Sequence, residues 1–149
     1  MLIKSLSLKN FQCYTGELDN NHFEFKNGLN LIIGNNGNGK SKVFDGFCWV
    51  LYDQIFDTDR REFTSSATYG EKLISDKVTR NCSIGETATT EVCLIVESRQ
   101  KREYRLTRFL HCTKSSENNW FKEPSTLVIE EKKANRWSHS TESAESVLN

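Results

Sequence analysis

With 149 residues, 36% of them hydrophobic, the chain is about one domain long and has enough apolar side chains for a real core. Its 20 Lys and Arg balance 20 Asp and Glu, so no global basic field advertises nucleic acid, and any DNA contact needs a local patch. No run of about 18 apolar residues and no signal-like start is present, which argues against a membrane or secreted protein and for a cytoplasmic one.

The first 33 residues read as β structure. Leu6 and Leu8 alternate with Ser5, Ser7 and Lys9, and Phe23 and Phe25 flank Glu24. Lys26-Asn27-Gly28 then turns the chain into the apolar run Leu29-Asn30-Leu31-Ile32-Ile33, which is expected to be a strand. The eight residues Gly34-Asn35-Asn36-Gly37-Asn38-Gly39-Lys40-Ser41 follow directly. Over 42–52, Val43, Phe44, Phe47, Cys48, Val50 and Leu51 recur at helical spacing and predict a helix with one broad apolar face. Gly46 weakens that helix slightly but permits close packing, and Trp49 belongs in the core.

Residues 53–91 are polar and loop-rich, with Phe56, Phe63, Leu73 and Ile74 as anchors and no clear element. A hairpin comes next. Val92, Leu94 and Val96 share one face and Cys93 and Ile95 the other, so this strand should be buried on both sides. Residues 98–102 turn the chain, and Tyr104 and Leu106 alternate with Glu103, Arg105 and Thr107 on the return strand. A polar stretch at 113–119 leads to a β segment at 126–129, a turn at 132–135 and the start of a helix at 140–149. Trp120 and Trp137 are expected to be half-buried packing residues.

The spacing glycine, four residues, Gly-Lys-Ser at 34–41 is that of a phosphate-binding loop. Glycines let the backbone curl so that successive N–H groups of Asn35, Asn36, Gly37, Asn38 and Gly39 can face phosphate oxygens. Lys40 would supply a cation to the β- and γ-phosphates and the Ser41 hydroxyl would complete a Mg²⁺ shell. The helix that starts there adds its own N–H groups and dipole. An ordinary Gly/Asn turn would explain the glycines but not the Lys-Ser pair between strand and helix. Lys42 is a second positive side chain at the helix start and either touches a phosphate or stays solvated.

Other candidate chemistry is thinner. The five cysteines form no Cys-x-x-Cys pair and no zinc-type grouping with His22, His111 or His139, so they read as small buried hydrophobes. Arg99, Lys101, Arg102, Arg105 and Arg108 form the best local candidate for contact with a phosphate backbone. An exposed hairpin edge explains the same charges, and Glu97 and Glu103 are interleaved with them.

The opening Leu6-Ser7-Leu8-Lys9-Asn10-Phe11-Gln12-Cys13-Tyr14, the run 25–33 into the loop, and Val43-Phe44-Asp45-Gly46-Phe47 together resemble the N-terminal half of an SMC-like ATPase head. Such heads are the ABC-type domains of SMC, RecF, RecN, SbcC and DndD proteins. The hairpin 91–109 is similar to the strand pair those heads place after the loop helix. The opening Asn-Phe-x-x-Tyr-x-Gly at 10–16 and the ending 142–149 look most like DndD, an ATPase linked to phosphorothioate DNA modification and phage restriction.

The resemblance implies an α/β fold: an ABC-type P-loop NTPase lobe with a mixed central sheet that includes 29–33, a loop helix and an antiparallel β subdomain. It implies ATP and Mg²⁺ as ligands, with Lys40 and Ser41 catalytic and Gln12, where several relatives carry Arg, near the nucleotide base. It also implies a C-terminal lobe of the same head, a second head joined through ATP, DNA as the larger partner in repair or phage defence, and no membrane. No apolar strand ending in Asp-Glu, no Leu-Ser-Gly-Gly-type signature and no long heptad run occurs in the sequence. The chain is therefore expected to be an N-terminal lobe that binds ATP with little or no turnover by itself, hydrolysis belonging to a longer protein. A nucleotide-sensing module controlling an attached nuclease, as in OLD proteins, is the alternative. A GTPase would need an Asn-Lys-x-Asp motif, which is missing.

Overall fold

The computed structural model describes residues 1–148. Its centre is an antiparallel sheet. β1 (Leu2–Lys9) lies between β2 (His22–Glu24) and β5 (Thr87–Glu97), and β5 continues to β6 (Glu103–Ser116), β8 (Thr126–Lys133) and β9 (Arg136–His139). β7 (Asn119–Lys122) pairs with the far end of β6. The register sets Leu94 opposite Leu106 and Val96 opposite Tyr104, so the alternation on both strands of the hairpin fills one buried face. On the other face Cys93 is buried but Ile95, Glu91 and Glu97 are only half-buried, so the expected two-sided burial is met in part.

α1 (Lys40–Tyr52) packs across the sheet with Val43, Trp49 and Val50 fully buried. Gly46 permits the approach, since a Cβ there would lie 2.9 Å from the Leu8 Cδ2 atom. The Trp49 ring stacks on Phe11 at 5.4 Å between centroids. Asp53 ends the helix in a left-handed conformation, its N–H donating to the Trp49 carbonyl. Arg108 of β6 reaches the same end: Nε donates to the Val50 carbonyl at 3.3 Å and Nη1 to Ser125 Oγ at 3.0 Å, with Asp53 3.7 Å away. Burial pushes its pKa below the usual arginine range, but a cation at a helix C-terminus is favourably placed.

Four expectations need correction. Residues 29–33 form no strand; Leu29 and Ile33 are 88% and 89% exposed. A strand requires partners for its N–H and C=O groups, and nothing among the described residues flanks this run. Its start is instead stitched into a loop by Asn30, whose side chain accepts from the Lys26 N–H at 2.9 Å and donates to the Lys26 and Gly28 carbonyls. The mixed sheet is consequently not formed: every ladder among the described residues is antiparallel.

The region 53–91 holds more structure than its polarity suggests. β3 (Gln54–Asp57) and β4 (Glu62–Ser65) make a separate hairpin, and α2 (Ser66–Tyr69) and α3 (Asp76–Asn81) follow. Asp57 Oδ1 accepts the N–H groups of Asp59 and Arg60 and so shapes the hairpin turn. β8 and β9 make another unexpected hairpin, turning at Ala134 and Asn135 with φ of 48° and 62°. Ala-Asn at such a two-residue turn lacks the usual Asn-Gly signal.

α4 (Ala144–Leu148) falls within the predicted helix at 140–149, whose last residue, Asn149, lies outside the described residues. Trp120 packs against the core and Trp137 is half-buried on the outer sheet face. Among the described residues no helix is long and apolar enough to cross a membrane.

Candidate phosphate-binding site

The loop 34–41 leads into α1, and its glycines take conformations that side chains resist. Gly37 and Gly39 have φ of 87° and 78°, and Gly39 is the N-cap of the helix. A Cβ at Gly39 would lie 2.5 Å from Cys13 Sγ, while one at Gly37 would meet nothing within 4 Å. Gly39 is thus required by a close neighbour as well as by its dihedral, and the space beside Gly37 is open. Asn35, Asn36 and Asn38 are exposed around the turn, which the Asn38 N–H closes onto the Asn35 carbonyl at 3.2 Å.

Lys40 bends back over the loop. Its ammonium donates to the Gly34 carbonyl at 2.6 Å and the Asn35 carbonyl at 2.7 Å. This sets a positive charge above the curl of the backbone. Ser41 stands exposed in the first turn, where helix N–H groups have no intrahelical acceptor. Cys13, Asn36, Gly37, Gly39, Lys40, Ser41 and Lys42 line one open pocket of about 480 Å³. A cation, a hydroxyl, glycine backbone and a helix N-terminus meeting in one pocket fit a phosphate chain with its Mg²⁺.

Gln12 and Lys42 are brought to Asp45. Lys42 Nζ donates to Asp45 Oδ2 at 3.0 Å, and Gln12 Nε2 to the same oxygen at 3.4 Å. Asp45 is only 4% exposed. The segment after β1 also clamps the loop directly, the Tyr14 hydroxyl donating to the Gly39 carbonyl at 3.1 Å. Burial pushes the Cys13 thiol up despite nearby Lys42, so it packs against the loop as a neutral group.

Cys13, Tyr14 and Asp45 lie in the segments that carry the family resemblance, but the sequence assigns none of them to the site. For Asp45 a signal existed: an acid three residues beyond Lys42 shares its helix face. For Cys13 and Tyr14 none did, because their contact with Gly39 spans 25 residues or more and depends on how β1 enters the sheet.

The basic cluster does not assemble into one bare patch. Lys101 pairs with Glu97 at 2.8 Å, Arg102 with Glu142 at 2.7 Å, and Arg105 with Glu130 at 2.7 Å. Arg105 also lies over the Trp137 ring at 4.8 Å. Arg108 is buried behind α1, leaving Arg99 exposed beyond the end of β5.

Residues 5–149 match the AAA domain family AAA_23. Over 53 residues, 36% of the chain, the sequence is 36% identical to the Chromosome partition protein Smc of Rhodopirellula baltica, covering 4% of that protein. It is 37% identical over 54 residues to the protein of the same name from Mycobacterium tuberculosis, covering 36% of the chain and 4% of the relative. With that of Clostridium kluyveri the identity is 35% over 60 residues, 40% of the chain and 5% of the relative. The chain thus spans a small part of the length of these relatives. Together the matches support an SMC-like ATPase region.

Proposed function

The chain belongs to the AAA_23 family of AAA domains, and from that premise we propose that it is a cytoplasmic ATP-binding lobe of an SMC-like ATPase acting on DNA. In this reading ATP brings two such heads together and hydrolysis, in a full-length protein, resets them. The observation that carries it is the loop 34–41, with Gly37 and Gly39 at positive φ, the Lys40 ammonium above the backbone curl and Ser41 at the start of a 13-residue helix. Phosphoryl transfer is catalysed mainly by positioning and charge neutralisation, and Lys40 supplies both. Ser41 would hold Mg²⁺, which when bound neutralises charge on the phosphates. Asp45, the nearest carboxylate in sequence, has Oδ2 engaged by Lys42 and Gln12. Turnover by these residues alone is therefore expected to be slight.

The C-terminal lobe of the same head is the partner we propose for the exposed run 29–33. Strand addition there would satisfy the backbone of Leu31 and Ile33 and cover their side chains. An apolar groove of about 490 Å³ between Ile3, Phe44, Phe47, Leu51, Tyr52 and Phe63 would be covered by the same lobe. Within the class, the opening Asn-Phe-x-x-Tyr-x-Gly at 10–16 favours a DndD-type role in phage defence.

Calorimetric titration with Mg-ATP and Mg-GTP, on the native chain and on Lys40→Ala, tests the site. Saturable ATP binding that disappears in Lys40→Ala is the expected result. A folded native chain that takes up no ATP overturns the reading, and steady phosphate release abolished by Lys40→Ala overturns the claim of slight turnover.

A further inference from the structure

We infer that Asp45 is a positioning residue that makes Lys42 a second phosphate-binding cation, an inference that rests on the loop being a nucleotide site. A carboxylate 4% exposed is costly unless its charge is matched by hydrogen-bond donors. Here Oδ2 receives the Lys42 ammonium at 3.0 Å and the Gln12 amide at 3.4 Å. The Lys42 side chain is 40% exposed and lines the same pocket as Lys40 and Ser41, so its charge stands at the edge of the phosphate space without being sealed away.

An untethered lysine loses several freely rotating bonds' worth of entropy on gripping a ligand. Asp45 has removed that cost beforehand. α1 supplies the geometry, because residues three apart lie on one helix face and Asp45 is fixed by burial in the packed layer. Gln12 completes the arrangement. It sits at φ 51° with its own N–H held by the Leu73 carbonyl at 2.8 Å, so its amide reaches Asp45 from a fixed backbone. The loop thereby presents two cations held in different ways, Lys40 by backbone carbonyls and Lys42 by a buried carboxylate.

The test is a thermodynamic cycle read by calorimetry with ATP, AMP and adenosine. Lys42→Met is expected to weaken ATP binding about tenfold, as loss of one charge-assisted contact should, and to change adenosine binding little. Asp45→Ala, which leaves Lys42 present but untethered, should reproduce most of that loss. The double variant should be no weaker than Lys42→Met, since Asp45 acts through Lys42, and Asp45→Asn should recover part of the affinity. Additive losses, equal losses for ATP and adenosine, or unchanged ATP affinity in a folded Asp45→Ala overturn the inference. If Asp45→Ala does not fold, Asp45→Asn decides by the same ATP-to-adenosine ratio. Lys40→Ala separates the two claims: loss of ATP in Lys40→Ala with neutral Asp45 variants removes only the positioning role, while no ATP binding by the native chain removes both.

Discussion

β5 and residues 29–33 are both stretches rich in Val, Ile and Leu, yet Val92, Leu94 and Val96 are fully buried while Leu29 and Ile33 keep nearly nine-tenths of their surface exposed. Side-chain chemistry does not separate them. β5 has β1 on one side and β6 on the other, so its backbone groups are paired and the face carrying Val92, Leu94 and Val96 closes on the core. Residues 29–33 have no ladder on either side. An apolar run becomes a strand only where another strand supplies the hydrogen bonds, and this chain supplies them in one place and not the other.

Substitution should separate the two regions sharply. Leu94→Ala is expected to cost about 3 kcal/mol in urea denaturation, through lost burial and a residual cavity. Ile33→Ser should change stability by less than about 0.5 kcal/mol. A loss at Ile33 comparable to that at Leu94 would mean that 29–33 is folded into the core in solution, and the comparison would break.

The glycines sharpen it next. Gly46→Ala should cost about 1 kcal/mol net, overpacking against Leu8 exceeding the gain in helix propensity, and the unfolding midpoint reads it. Gly39→Ala pushes into Cys13 and forces a side chain onto a left-handed backbone, and should weaken ATP binding at least about tenfold while costing about 1–3 kcal/mol of stability. Unchanged ATP affinity in a folded Gly39→Ala would show that the loop tolerates a side chain at that position.

A further effect is confined to alkaline solution. Burial pushes the Cys112 thiol up from 9.0 to about 11, so the folded state holds its proton more tightly than the unfolded state. That contribution is complete below pH 9.0 and is lost as pH rises towards about 11. Cys112→Val should flatten the fall of the urea midpoint over that interval. The same change at the exposed Cys13, where only part of the thiol is covered, should flatten it less.

Much of this was legible because it depends on neighbouring residues. The alternation at Leu6 and Leu8 and at Tyr104 and Leu106, the helix over Val43 to Leu51, and the curl of glycines before Lys40-Ser41 are short-range patterns, and each formed, although Phe44 of the expected apolar stripe is 57% exposed and Phe47 and Leu51 are half-buried. Long-range matters were not legible. Arg108 reads as one more charge on a solvent-facing strand, and only the passage of α1 behind β6 makes it a buried contact of a helix end. The basic cluster at 99–108 looks continuous in sequence, but carboxylates from Glu130 and Glu142 divide it.

The sequence by itself determined where the chain curls before a helix, that a lysine stands at that curl, and which strands have an inward face. Those follow from dihedral preference and periodicity, which act over a few residues. Tertiary structure alone decided that Gln12 reaches Asp45, that Cys13 and Tyr14 press on Gly39, and that the run 29–33 stays unpaired. Each of those depends on a group far away in the chain being present or missing at hydrogen-bonding distance, which no local pattern records.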